Sequence, residues 1–91
     1  MQQVPRKRQM IELTISTEYL TSSEKVMLIS MILQADPYDL VNMQTRVIGT
    51  YANVGPQTVR NFYKKMEALN ILYRVQNGPF GRLYKLTLEN M

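Results

Sequence analysis

The spacing of apolar residues divides the chain into segments with distinct periods. In residues 9–16, Ile11, Leu13 and Ile15 alternate with more polar neighbours, which predicts a short strand. Thr21 followed by Glu24 has the spacing of a capping box, so a helix opens there and runs through residues 25–34. It should stop near Asp36–Pro37, because the residue before a proline avoids the helical region. This helix is apolar almost all round, more than one covered face requires. Val26, Ile29 and Leu33 are assigned to the intramolecular core, whereas Met27 and Met31 suit either the core or a subunit interface. Residues 36–41 then link it to the next element, with Tyr38 and Leu40 packing on the core.

Met43, Val47, Ile48, Tyr51 and Ala52 fit one helical face, which predicts a short second helix. Gly49 lies within it, where glycine costs about 1 kcal/mol relative to alanine, so a close approach of the next helix is expected there. Asn53 marks a turn, since asparagine tolerates the left-handed conformation. Gly55 and Pro56 open a third helix over residues 56–69, proline being well suited to a first helical position. Val59, Phe62, Met66 and Leu69 form its buried face. Asn70 repeats the left-handed signal. Residues 71–76 and 83–88 then read as two strands, with Tyr84, Leu86 and Leu88 inward and Lys85 and Thr87 outward. The connection over residues 77–82 is a turn by composition, with Phe80 either folded back on the domain, the favoured placement, or making a contact.

With 91 residues the chain makes one small domain, of a size that often gains core by dimerising. Residues 1–8, with Arg6, Lys7, Arg8 and no acid, are expected to form a flexible basic arm ahead of a single domain over residues 9–91. The absence of cysteine and histidine removes disulfides, thiolate metal sites, the commonest general base and the commonest metal ligand. The seven acids form no paired motif, so no enzyme, metal site or cofactor is expected. No apolar run is long enough to cross a bilayer, and residues 1–5 lack the layout of a secretory signal, so a cytoplasmic location is expected.

Charge is unevenly placed. Residues 9–41 hold Lys25 against Glu12, Glu18, Glu24, Asp36 and Asp39, whereas residues 42–91 hold seven basic residues against Glu67 and Glu89. Clustered positive charge is the footprint expected for phosphate binding. On the third helix Gln57, Thr58, Arg60, Asn61, Lys64 and Lys65 lie largely away from the apolar face. Arginine can read guanine, and glutamine or asparagine can read adenine, through paired hydrogen bonds. A polar helix face is more often plain solvated surface, so its neighbours carry the weight.

Ile48-Gly49, Asn53-Val54-Gly55, Thr58-Val59-Arg60, Met66-Glu67 and Asn70-Ile71-Leu72 resemble the winged-helix pattern of bacterial regulators of the GntR and MarR kinds. They are also similar to the N-terminal DNA-binding domains of plasmid and phage replication initiators. The pattern usually has alanine at Gly49, glycine at Asn53 and Asn70, and serine at Gly55; the last difference removes a capping hydroxyl. The resemblance implies an α+β winged helix-turn-helix of three helices, a C-terminal β-hairpin wing and a short N-terminal strand. It implies a homodimer on double-stranded DNA, with the helix over residues 56–69 in the major groove. Gln57, Thr58, Arg60 and Asn61 would meet bases or nearby phosphates, while Arg46, Lys64, Lys65 and Arg82 would serve phosphates, with Arg74 and Lys85 as further backbone contacts. The role implied is a small transcriptional regulator of plasmid or phage type. A replication or partition protein and a protein-interaction module are the alternatives, and RNA binding would call for exposed aromatic residues.

Overall fold

The computed structural model of the chain describes residues 6–78 and 81–90. In chain order the elements are α1 (Arg6–Ser16), α2 (Ser22–Gln34), β1 (Leu40–Met43), α3 (Thr45–Ala52), α4 (Pro56–Ala68), β2 (Leu72–Gly78) and β3 (Gly81–Leu86), ending in a 3-10 turn over Leu88–Asn90. The three strands form one antiparallel sheet in the order β1-β3-β2. The class is α+β, with four helices and a small sheet among the described residues.

Two expectations about the N-terminal third are corrected. Residues 9–16 are helical, not a strand, and the helix takes in Arg6, Lys7 and Arg8 as well. The alternation of Ile11, Leu13 and Ile15 competes with a helical period through Met10, Thr14 and Thr17, and those three are the buried positions. Short runs leave this choice to packing. The Thr14 hydroxyl donates to the Met10 carbonyl at 2.8 Å, and the Thr17 hydroxyl donates to the Leu13 carbonyl at 2.7 Å, so both polar groups are satisfied on the buried side. The basic triplet forms the first turn of α1. Arg6 pairs with Asp39, the Lys7 amine donates to the Leu33 carbonyl at 3.2 Å, and Arg8 pairs with Glu12 one turn along. Residues 1–5 of the expected arm lie outside the described residues.

Helix α2 begins as its sequence predicts. Thr21 accepts from the Glu24 N–H and the Glu24 carboxylate accepts from the Thr21 N–H, completing the capping box. It ends at Gln34, with Ala35 already extended ahead of Asp36–Pro37. Its assigned faces are reversed in part. Met27 and Met31 are fully buried, while Val26 and Leu33 stand 44% and 55% exposed. Helix α1 runs antiparallel beside it: Lys7 meets the Leu33 carbonyl at one end, and the Lys25 amine donates to the Ile15 carbonyl at the other.

The expected link over residues 36–41 contains the start of β1, and the predicted helical run from Met43 is divided between β1 and α3. The Asp36 carboxylate accepts from the Tyr38 and Leu40 N–H groups, and Asp39 takes a left-handed conformation at φ 64°, turning the chain into the sheet. Tyr38 points outward at 78% exposure and Leu40 is only half-buried, contrary to expectation; Val41 is the residue that enters the core. Strand β1 pairs with β3, matching Val41 to Tyr84.

Helices α3 and α4 are joined by the turn that Asn53 predicts, left-handed at φ 56°. Asn70 does the same after α4 at φ 59°. The core gathers Leu28, Met31, Ile32, Ile48, Phe62, Met66 and Leu86 between the helices and the sheet. Tyr63 stacks on Tyr84 with ring centroids 4.9 Å apart, tying α4 to the central strand.

Candidate functional site

Helix α4 sorts its residues by period. Val59, Phe62, Tyr63 and Met66 are buried, which leaves Gln57, Arg60, Asn61 and Lys64 on the opposite, exposed face. Leu69, expected on the buried side, is the capping residue and half-exposed. The Gln57 side-chain amide donates to the Asn61 side-chain oxygen at 3.0 Å, so two hydrogen-bonding amides are held together one turn apart. Arg60 and Lys64 are likewise one turn apart. Thr58 is exposed at the first turn of α4, on the flank it shares with Lys65.

The neighbouring helix sets a second cation beside this face. Arg46, Thr45 and Thr50 of α3, Asn53 of the turn and Arg60 of α4 line one open groove, floored by Gly49. Gly49 explains how the two helices come so close. A Cβ there would stand 2.9 Å from the Val54 carbonyl oxygen and 3.5 Å from a Val59 methyl. The approach is thus made by the turn backbone as well as by α4, and the Val54 N–H donates to the Gly49 carbonyl at 2.9 Å. Ile48 is buried as its period predicts, but Val47 and Tyr51 stay exposed, Tyr51 at 58%, on the outer side of α3 beside Arg46.

Among the described residues, no ion pair involves Arg46, Arg60 or Lys64. Their charges are presented to solvent in one region. Lys65 is different. Its amine donates to the Glu24 carboxylate at 2.8 Å and to the Tyr19 carbonyl at 3.0 Å, so it binds α4 to the start of α2. Burial pushes the Glu24 carboxyl up, but the Lys65 and Thr21 hydrogen bonds and the Lys65 charge together outweigh it and hold the group below the usual carboxylate range. Arg74 on β2 is also committed, pairing with Glu67 of α4 at 3.2 Å. Lys85 is exposed on β3, across from Tyr73 and Leu40. The Arg82 backbone pairs with Met43 and Asn77, while its side chain, like Pro79 and Phe80 at the hairpin tip, lies outside the described residues.

The structure therefore brings together Arg46, Gln57, Arg60, Asn61 and Lys64, and separates Lys65 from them. Sequence reading missed Thr45, Thr50 and Asn53 as lining residues. Thr50 carried that signal, since it falls on the side of α3 away from Ile48, whereas Thr45 stands one turn before Ile48 on the same side and Asn53 belongs to the turn. Among the described residues no cluster of His, Cys, Asp or Glu could hold a metal ion, and no helix is long and apolar enough to cross a membrane. No protein-family model, curated protein or solved structure matches the chain.

Proposed function

We propose that the chain is a winged helix-turn-helix that binds double-stranded DNA by sequence, as a small cytoplasmic transcriptional regulator of plasmid or phage type acting as a homodimer. The observation that carries this reading is the face of α4: two amides and two unpaired cations, continuous with Arg46 across the groove. The element order supports it, since two helices joined by a tight turn are followed by a hairpin, with an extra strand β1 completing the sheet. A helix of 13 residues with one fully polar face fits the width of a major groove.

In this arrangement Gln57 and Asn61 exchange their mutual hydrogen bond for adenine edges, and Arg60 reaches a guanine edge or the adjacent phosphate. Lys64 and Arg46 meet phosphates, which position the protein without reading sequence. Lys65 supports the helix from behind and contributes no contact. A replication or partition protein on repeated sites would use the same face.

The test is a set of alanine variants assayed on a selected site and on mixed-sequence duplex. Arg60→Ala and Asn61→Ala should lose discrimination between the two, with each lost base contact costing about 1–3 kcal/mol. Lys64→Ala should weaken both about equally. Unchanged affinity in all three variants would remove α4 from the DNA-binding role.

A further inference from the structure

The groove between α3 and α4 is lined by cations that come from two separate helices. Arg46 lines it from α3 and Arg60 from α4, and no acid lines it. Neither guanidinium is held by an ion pair among the described residues. Thr45 and Asn53 line it as well, and neither makes a side-chain hydrogen bond among the described residues. Thr50 is different, since its hydroxyl already donates to the Arg46 carbonyl at 2.9 Å. Helix α4 begins at Pro56, on the wall of the groove, without a side-chain cap, so the positive end of its dipole is left unneutralised there. The rest of the lining is apolar, from Val54 and Pro56 over the floor at Gly49. The groove has a volume of about 530 Å³, within the range of small-molecule sites.

We infer that this groove binds a small phosphate monoester, with the phosphate between Arg46 and Arg60 and its organic substituent against Val54 and Pro56. Charge selects the monoester. Two guanidinium groups match a dianion, and a monoester carries about −1.5 to −2 at pH 7, whereas a phosphodiester carries a single negative charge. Arginine presents its donors in a planar fork that meets phosphate oxygens in pairs. The Thr45 hydroxyl and the Asn53 amide are donors for a further oxygen, and the uncapped start of α4 adds to the attraction. A phosphate alone leaves most of the groove empty, and the apolar wall suits a substituent the size of a pentose. The site deepens the reading above, because an ester in the groove takes Arg46 and Arg60 away from duplex DNA. For that competition it rests on the DNA reading; for the ester itself it does not.

Exposure sets the strength. The groove is open to solvent, which screens its charges, so the ester should bind with a dissociation constant of roughly 0.1–1 mM. Loss of either arginine removes one fork from the phosphate and should weaken binding about tenfold.

The experiment is a titration of the whole isotope-labelled chain with ribose 5-phosphate at pH 7, followed by amide correlation spectra with the ionic strength held constant by sodium chloride. Saturable shifts of the Gly49, Asn53 and Val54 amides are expected. Arg46→Ala and Arg60→Ala should each weaken binding about tenfold, whereas Arg8→Gln, which removes an equal charge from α1, should leave it unchanged. Arg46 and Arg60 are exposed, so the spectra should show both variants folded. Dimethyl phosphate, a diester with one negative charge, should bind about tenfold more weakly than ribose 5-phosphate. In a second arm, ribose 5-phosphate should release a labelled duplex at constant ionic strength, over the concentration range of its own binding. No saturable shift, or undiminished affinity in the arginine variants, overturns the inference. Dimethyl phosphate binding as tightly as the monoester overturns the monoester assignment and makes the groove a backbone-phosphate site. Ester that fills the groove without releasing bound duplex overturns the competition. A chain that binds the ester but no duplex refutes the DNA reading and leaves the ester site standing, and a chain that binds duplex but no ester does the reverse.

Discussion

Lys64 and Lys65 are adjacent but differently placed, Lys64 exposed and Lys65 bonded to Glu24, and replacing each in turn tests whether folding and the proposed binding are separable. Lys65→Ala removes two hydrogen bonds, one to the Glu24 carboxylate and one to the Tyr19 carbonyl. Charge-assisted bonds of this kind contribute about 1.5–3 kcal/mol when dry. Here the Glu24 side chain keeps 14% exposure but Lys65 keeps 38%, so solvent screens the pair and a loss of about 1–2 kcal/mol is expected. The pH dependence gives the sign. Glu24 has a lowered folded pKa, so its contribution is present above the unfolded glutamate value of about 4.3 and disappears as pH falls through the folded value. Urea unfolding should therefore show Lys65→Ala less stable than wild type at pH 7, with the gap narrowing as the pH falls through the folded Glu24 value and only the Tyr19 carbonyl bond still separating the two. At a temperature where both are folded, Lys65→Ala should bind duplex DNA as wild type does, whereas Lys64→Ala should unfold as wild type does and bind more weakly. A gap that persists unchanged at acid pH would refute the Glu24 assignment. Equal losses of DNA affinity in the two variants would refute the separation of roles.

Other substitutions test the scaffold around the face. Gly49→Ala gains about 1 kcal/mol of helix propensity but drives a Cβ into the Val54 carbonyl, and overpacking of that kind costs about 1–3 kcal/mol, so thermal unfolding should show a net loss of about 1 kcal/mol. Asn53→Ala should lose about 1–2 kcal/mol because it forces an ordinary side chain into the left-handed region, while Asn53→Gly should be tolerated in the same melt. Thr21→Ala removes the α2 cap and should lose about 1 kcal/mol by chemical denaturation. Arg46→Ala should weaken DNA binding without changing which site is preferred, because it lines the groove rather than the outward face of α4.

The sequence carried the second half of the fold more clearly than the first. Pro56, the period of Val59, Phe62 and Met66, and the two asparagines at 53 and 70 each demand one local geometry, and each is found in it. The α2 cap is equally local. Where packing decides, sequence reading failed. Residues 9–16 satisfy a strand period and a helix period at once, and α2 supplies the surface that selects the helix. Strand β1 has only four residues, too few for a period to emerge, and it exists because β3 offers an edge. Val26 and Leu33 look like core by composition, but Met27, Leu28, Met31 and Ile32 take the covered faces. For the candidate site, the polar face of α4 was legible because amphipathicity is local. The diversion of Lys65 was not, because Glu24 and the Tyr19 carbonyl are brought to it by the fold across 41 and 46 residues of sequence.

The most direct measurement of the DNA-binding claim is fluorescence anisotropy of the chain with mixed-sequence duplex across a salt series, alongside single-stranded RNA. Arg46, Arg60 and Lys64 would make about three phosphate contacts per copy, and each contributes about 0.9 to the slope of log affinity against log salt. The account predicts a steep linear fall, with a slope near −3 for one copy and about −6 for a dimer on one site, and weaker binding to the RNA. An absence of duplex binding at low salt, where non-specific phosphate contact is strongest, would contradict it.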